Sequence, residues 1–164
     1  LMHYAARLHH AAGLTLGATT EPAPEPPPPS GPDTDTVRLM VCGAHMQGLP
    51  LNHQLTERGA RRVATTRTAA RYRLYALAGG PPFRPGLVRD EAQGAAIDVE
   101  VWELPLAGLG GFMTGIPAPL GIGTVELENG EWCKGFICEP CAIETAQEIT
   151  AFGGWRQFLA SEDT

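Results

Sequence analysis

Asn129-Gly130 lies between two runs of alternating character, Gly123 to Glu128 and Glu131 to Cys138, and no other feature of the 164-residue chain restricts its fold so much. An Asn-Gly pair flanked by alternating runs marks a β-hairpin, because the glycine takes the backbone angles that a tight reversal demands. The fold must therefore offer a sheet for that hairpin to join.

The remaining segments agree with a sheet protein. Ala96 to Leu104 (AIDVEVWEL) alternates and reads as the clearest strand, with Ile97, Val99, Val101 and Glu103 on one side and Asp98, Glu100, Trp102 and Leu104 on the other. Val37 to Cys42 is short and apolar, which predicts a largely buried strand. Gly43 after it reads as a turn with unusual backbone angles. Asn52 to Arg67 reads as a short irregular element followed by β structure, and Tyr72 to Leu77 alternates like a strand. After the Gly79-Gly80-Pro81-Pro82 turn, Phe83 to Arg89 returns extended, with prolines tolerated only at a sheet edge. Leu106 to Met113 reads as a short helix that Ile116-Pro117-Ala118-Pro119 breaks, and Ala142 to Gln147 as a helix start or turn. Phe152, Trp155, Phe158 and Leu159 fit a C-terminal helical turn packed on the sheet. With 20 glycines and 15 prolines, many short elements are expected. The fold class expected is mostly β (α+β), a small β-barrel with few short helices.

Three regions are expected along the chain. Met2 to Ala12 has helix-forming composition that Gly13 ends, with a short extended piece to Thr20, and it reads as the tail of a preceding domain over residues 1–20. The tract EPAPEPPPPSGP from Glu21 makes residues 21–35 a semi-rigid linker, and residues 36–164 form the compact domain. A start at Leu1 without methionine reads as a fragment of something longer. No apolar run approaches a membrane span and no signal sequence opens the chain, so a soluble, cytoplasmic protein without membrane contact is expected. A formal net charge of −6 argues against nucleic acid as partner. Half of the 12 lysines and arginines fall at Arg58, Arg61, Arg62, Arg67, Arg71 and Arg73, which reads as a solvated helix face or an interface meeting acidic surface.

Chemistry narrows by elimination. Serine occurs only at Ser30 and Ser161, in the linker and the tail, which removes a serine nucleophile with its base. Cys138-Glu139-Pro140-Cys141 is a lone CxxC without a second ligand pair, so Cys42, Cys133, Cys138 and Cys141 read as reduced structural thiols. His9 and His10 are adjacent and His45 and His53 are eight apart, so neither metal nor other cofactor is expected. What remains is the loop Cys42 to Gly48, where successive unpaired amides could hold an anion and His45 could donate to, or exchange a proton with, a carboxylate. The plainer alternative has His45 merely hydrogen-bonding a neighbouring carbonyl.

Leu39 to Glu57 (LMVCGAHMQGLPLNHQLTE), Tyr72 to Arg89, Ala96 to Leu104, Ile116 to Asn129 and Ile149 to Leu159 together resemble the C-terminal domain of allophanate hydrolase, over nearly everything from Thr36 to Ala160. Leu8 to Thr19 is similar to the closing segment of that enzyme's amidase domain. The resemblance implies a γ-glutamylcyclotransferase-like fold whose glycine loop lines the ligand pocket, and a role in urea degradation. It implies metal-independent decarboxylation of N-carboxycarbamate, a small dianion made by the N-terminal amidase domain of the same chain, and a homodimer. By the same resemblance Gly43, Ala44 and His45 form the pocket loop, with His45 as proton donor or orienting group. Asn52, Gln54 and Arg84 bind carboxylate, and Glu103 and Glu139 are the candidates for an acid or base. A dimerisation or docking module, with the Arg58 to Arg73 surface meeting an acidic partner, is the alternative of another class. A γ-glutamyl cyclotransferase is a third.

Overall fold

The computed structural model describes residues 35–162. The helix expected over Met2 to Ala12, the piece to Thr20 and the proline-rich tract lie outside the described residues.

Five strands form the main sheet in the order β2-β5-β1-β7-β6. These are β1 (Thr36–Val41), β2 (Arg61–Arg67), β5 (Asp98–Pro105), β6 (Leu120–Glu126) and β7 (Trp132–Cys138). β1 is central because it is apolar on both faces. It pairs antiparallel with β5 from Thr36↔Pro105 to Val41↔Glu100 and parallel with β7 at Leu39↔Lys134 and Met40↔Gly135. Leu39, Met40 and Val41 are fully buried. A parallel partner requires a long crossover, and here the intervening elements supply it. A smaller sheet, ordered β4-β3-β8, contains β3 (Tyr72–Ala76), β4 (Pro85–Arg89) and β8 (Gln147–Glu148). Pro85 and its neighbours are accommodated because β4 is an edge, as the prolines required.

The helices are short, as expected: α1 (His53–Thr56), α2 (Leu106–Met113) and α3 (Trp155–Glu162), with 3-10 turns at Pro140–Ala142 and Thr150–Phe152. Trp155 and Phe158 of α3 are buried in the core beside Ile97, Val99 and Ile149. Leu106 to Met113 is helical and Asn52 to Arg67 is a short helix followed by a strand, both matching the sequence reading.

The mostly β class holds, but the barrel does not. The sheets are not closed; past the ends of β2 and β6 the main-chain pairing is the isolated bridge Thr68↔Leu127 with the bonds Ala69 N to Glu126 O and Glu128 N to Arg67 O. The local physics is that Thr68 is fully buried with its hydroxyl accepting from Ile97 N and donating to Ala69 O. The hydroxyl thereby carries the β2–β5 pairing one residue past Arg67, while on the β6 side the pairing stops at the single bridge.

The arginine run is also corrected. Arg61 to Arg67 is a strand, and its carboxylate partners come from the same chain: Arg61–Glu103 at 2.5 Å, Arg62–Glu100 at 3.4 Å and Arg67–Asp98 at 3.1 Å. Arg71 meets Glu91 and Glu126, Arg73 meets Asp90 and Glu148, and Arg58 donates to the Gln54 carbonyl. Arg61 to Arg67 thus lie on a strand and not on a helix face, and carboxylates of the same chain pair with Arg61, Arg62, Arg67, Arg71 and Arg73.

The hairpin forms between β6 and β7, in register from Leu120↔Cys138 to Glu126↔Trp132. Its turn closes through Gly130 N to Leu127 O and Leu127 N to Glu131 O, with Gly130 at φ +83°. Among the described residues no non-glycine has positive φ, so Asn129 serves through its side chain, which accepts from Glu131 N at 3.0 Å. A Cβ on Gly130 would meet nothing within 4 Å. The effect of Gly130→Ala is therefore backbone strain alone, a loss of about 1–2 kcal/mol. Urea denaturation of the two proteins checks it; equal midpoints would contradict the turn described.

Candidate functional site

β1 ends at Val41 and the chain turns immediately into the loop that the sequence singled out. Gly43 does not have the positive φ expected of it. Its requirement is spatial: a Cβ there would lie 2.3 Å from Pro85 Cδ, so the ring of β4's first residue rests on the bare backbone. This contact seats Arg84, the preceding residue, over the loop.

The loop folds on its own carbonyls. Gly43 O accepts from Met46 N, Ala44 O from Leu51 N, and His45 O from Asn52 Nδ2 at 2.9 Å. Asn52, at the start of α1, makes no side-chain bond to its helix and holds the loop instead. With the carbonyls so occupied, the amides of Ala44 and His45 find no acceptor among the described residues. Gly43, Ala44, His45, Arg84, Leu120 and Phe136 all line one narrow cleft. That cleft is small, about 20 Å³, and His45, Arg84, Leu120 and Phe136 also wall a larger space of about 190 Å³ that Gln54 lines, bounded by Pro82 and Ile116. Adjacent unpaired amides beside a guanidinium make an anion site.

His45 is held on three sides. Its ring stacks on Phe136 at 5.0 Å between centroids, meets Phe112 edge-on at 5.3 Å, and has Nε2 3.0 Å from Gln54 Oε1. With the amide oxygen facing the ring, Nε2–H donates and Nδ1 keeps its lone pair. Burial holds the imidazole below its ordinary pKa of 6.5; the Gln54 bond opposes this, and the positive charges at His53 and Arg84 add to it. The ring is therefore neutral near pH 7.

Arg84 stands apart electrostatically. Among the described residues every other arginine, and Lys134, has a side-chain hydrogen bond or ion pair, whereas the Arg84 guanidinium has none. It also walls a second space of about 270 Å³ with Leu77, Ala118 and Thr145.

The structure thus brings together Gly43, Ala44, His45, Gln54 and Arg84. Asn52 supports the loop from behind. Glu103 is on β5 in its ion pair with Arg61, and Glu139 is exposed at the end of β7 with Cys141 Sγ donating to it, so neither lines the cleft. Among the described residues no three His, Cys, Asp or Glu side chains cluster to hold a metal ion. Cys42, Cys133 and Cys138 are buried and free and Cys141 is exposed. Burial pushes the Cys42 thiol up to about 12, with Cys133 and Cys138 shifted the same way, so these three stay protonated and unreactive.

Sequence reasoning missed Phe112 and Phe136, the walls of the histidine's slot, and Glu100. Phe136 had a signal in the hairpin's alternation; Phe112, on a glycine-rich helix, had none. Glu100 sits on β5 where a polar pleat was expected, yet it is only 3% exposed.

Comparison with known proteins places this geometry. Residues 37–160 match the family described as allophanate hydrolase C-terminal domain. Urea amidolyase of Saccharomyces cerevisiae is 43% identical over 136 residues, 79% of this chain and 7% of that protein. The chain thus spans a small part of the curated relatives it matches. A Kluyveromyces lactis allophanate hydrolase structure superposes with TM-score 0.75 at 36% identity, covering 99% of this chain and 28% of that one. A uropathogenic E. coli-specific protein aligns with TM-score 0.71 at 36% identity, over 76% of this chain and 96% of its own.

The neutral, buried ring gives a measurable pH effect. An unfolded histidine takes its proton near pH 6.5 while the folded one resists, so stability falls as pH drops through 6.5 toward the folded midpoint and is unaffected above it. NMR titration is expected to place His45 below 6.5, and Gln54→Leu to lower it further by removing the opposing bond.

Proposed function

The chain belongs to the allophanate hydrolase C-terminal domain family, and on that footing we propose that its cleft binds N-carboxycarbamate and releases carbon dioxide from it without a metal. The observation that carries the reading is the pairing of an unpartnered arginine with free loop amides and a buried neutral histidine in one cleft. N-carboxycarbamate has two carboxylates on one nitrogen. Arg84 faces one carboxylate, and the amides of Ala44 and His45 receive the other.

Decarboxylation breaks the C–N bond with its electron pair passing to nitrogen, so the step needs a proton at that nitrogen. Neutral His45 has none to spare until substrate arrives. Two negative charges beside the ring favour imidazolium, so binding draws a proton onto His45, and the ring gives it up as the bond breaks. The products are carbon dioxide and carbamate, and the ring is left neutral, as it was before substrate bound. In this reading the dianion reaches the cleft from an amidase domain of the same, longer chain.

The cyclotransferase reading has no carboxylate to act as its acid or base, since no Asp or Glu lines these spaces among the described residues. The docking alternative relied on arginines that the chain itself neutralises.

Malonate, a stable dianion of similar shape, tests the proposal. Calorimetry in buffers of different ionisation enthalpy is expected to show binding with uptake of about one proton at pH 7. Arg84→Ala is expected to weaken it about tenfold to a hundredfold, the worth of a charge-assisted contact. His45→Ala is expected to slow carbon dioxide release from N-carboxycarbamate generated in situ by about a hundredfold. Malonate binding without proton uptake, or undiminished by Arg84→Ala, would overturn the assignment.

A further inference from the structure

Bonded to the pocket loop, but lining none of the spaces that Arg84 walls, is the one buried carboxylate among the described residues. Glu100 Oε2 accepts from Gln47 N at 2.8 Å and from Trp102 Nε1 at 3.1 Å; Oε1 accepts from Arg156 at 3.0 Å and Arg62 at 3.4 Å. Arg156, on α3, also donates to Gln47 O at 2.6 Å. Both main-chain polar groups of Gln47 are therefore seized by one ion pair, two residues from His45. The Gln47 side chain itself is exposed, so this gripping acts on the backbone and is indifferent to the residue's identity.

A carboxylate removed from water is expensive unless each lone pair is matched, and packing alone would be better served by an apolar residue here. Four donors meet this one, drawn from the loop, β5, β2 and α3. The arrangement is what rigid placement of a functional loop needs.

We infer that Glu100 and Arg156 are positioning residues that hold the Gly43–Gly48 loop in its binding geometry, and that α3 thereby controls the site from the back of the sheet. The inference rests on the cleft being the proposed dianion site, while its structural half can be read without any ligand.

Full-length Arg156→Ala, Arg156→Lys and Glu100→Gln chains test it by amide hydrogen exchange and malonate calorimetry. Removing Arg156 leaves Arg62 as the cation on Glu100 Oε1, so the chain is expected to fold with a lowered melting transition. Exchange at Met46, Gln47 and Leu49, all hydrogen-bonded in the loop, is expected to quicken about tenfold in Arg156→Ala, as local opening rather than global unfolding governs it. Malonate affinity is expected to fall by about the same factor, through misplacement of groups that themselves remain, and Arg156→Lys to recover most of it. Glu100→Gln, which keeps the shape and removes the charge, is expected to act like Arg156→Ala. Unchanged loop exchange in Arg156→Ala overturns the inference. Loop exchange that quickens in a chain whose wild type fails to bind malonate sustains the clamp and sinks the dianion reading instead.

Discussion

The contact between Pro85 and the bare backbone of Gly43 is the constraint from which the site follows. It joins the two sheets at the point where the central strand β1 ends, leaving no room for a side chain. Because Pro85 begins β4, the residue before it must emerge at the mouth of the loop, and that residue is Arg84. Because Gly43 ends β1, His45 must fall between Phe136 of β7, the parallel neighbour of β1, and Phe112 at the end of α2. One steric contact thus brings the cation that precedes β4 and the imidazole that follows β1 to line the same spaces.

The charge arrangement is selective. The protein is acidic overall, but its described arginines are spent in cross-strand and turn pairs except where the cleft opens. Exposed pairs of this kind contribute little to stability, about 0–1 kcal/mol each. Their consequence here is to neutralise surface charge locally, so that the field in the cleft is set by Arg84 and the loop amides. Carboxylates are kept out of its walls, and an anion meets no repulsion on entering.

Much of this was legible in the residues because it depends on short-range chemistry. The Asn129-Gly130 reversal, the apolar β1 run ending at Gly43, the alternation of Ile97, Val99 and Val101, and the helix at Leu106 all express local preference, and all formed. The loop was recognised from glycine and histidine alone, although for Gly43 the reason is close approach and not φ. What escaped depends on which strands become neighbours. Glu100 looked like a solvent-facing pleat because alternation assigns a side, not its cover; α3 and the loop bury it from outside the strand. Arg61, Arg62, Arg71 and Arg73 read as a helix face or an interface because their carboxylate partners, Glu103, Glu100, Glu126 and Glu148, lie 38 to 75 residues away in sequence. Barrel closure failed for the same kind of reason, since it depends on β2 and β6 becoming neighbours, and among the described residues their pairing is a single bridge.

The same geometry explains why a histidine suffices without a carboxylate partner. A triad-like acid behind His45 would raise the ring's pKa and protonate it before substrate came, and its negative charge would oppose a dianion. Gln54 in that place orients the ring through a hydrogen bond and adds no charge, while burial between two aromatic rings keeps the free imidazole neutral. The proton then arrives together with the charge that needs it. On the far side of the loop the logic inverts: Glu100 is charged and buried because it serves the backbone through arginines and never faces the cleft. Separating the two functions, neutral orientation in front and ionic clamping behind, lets one short loop be rigid without spoiling the potential at its binding face.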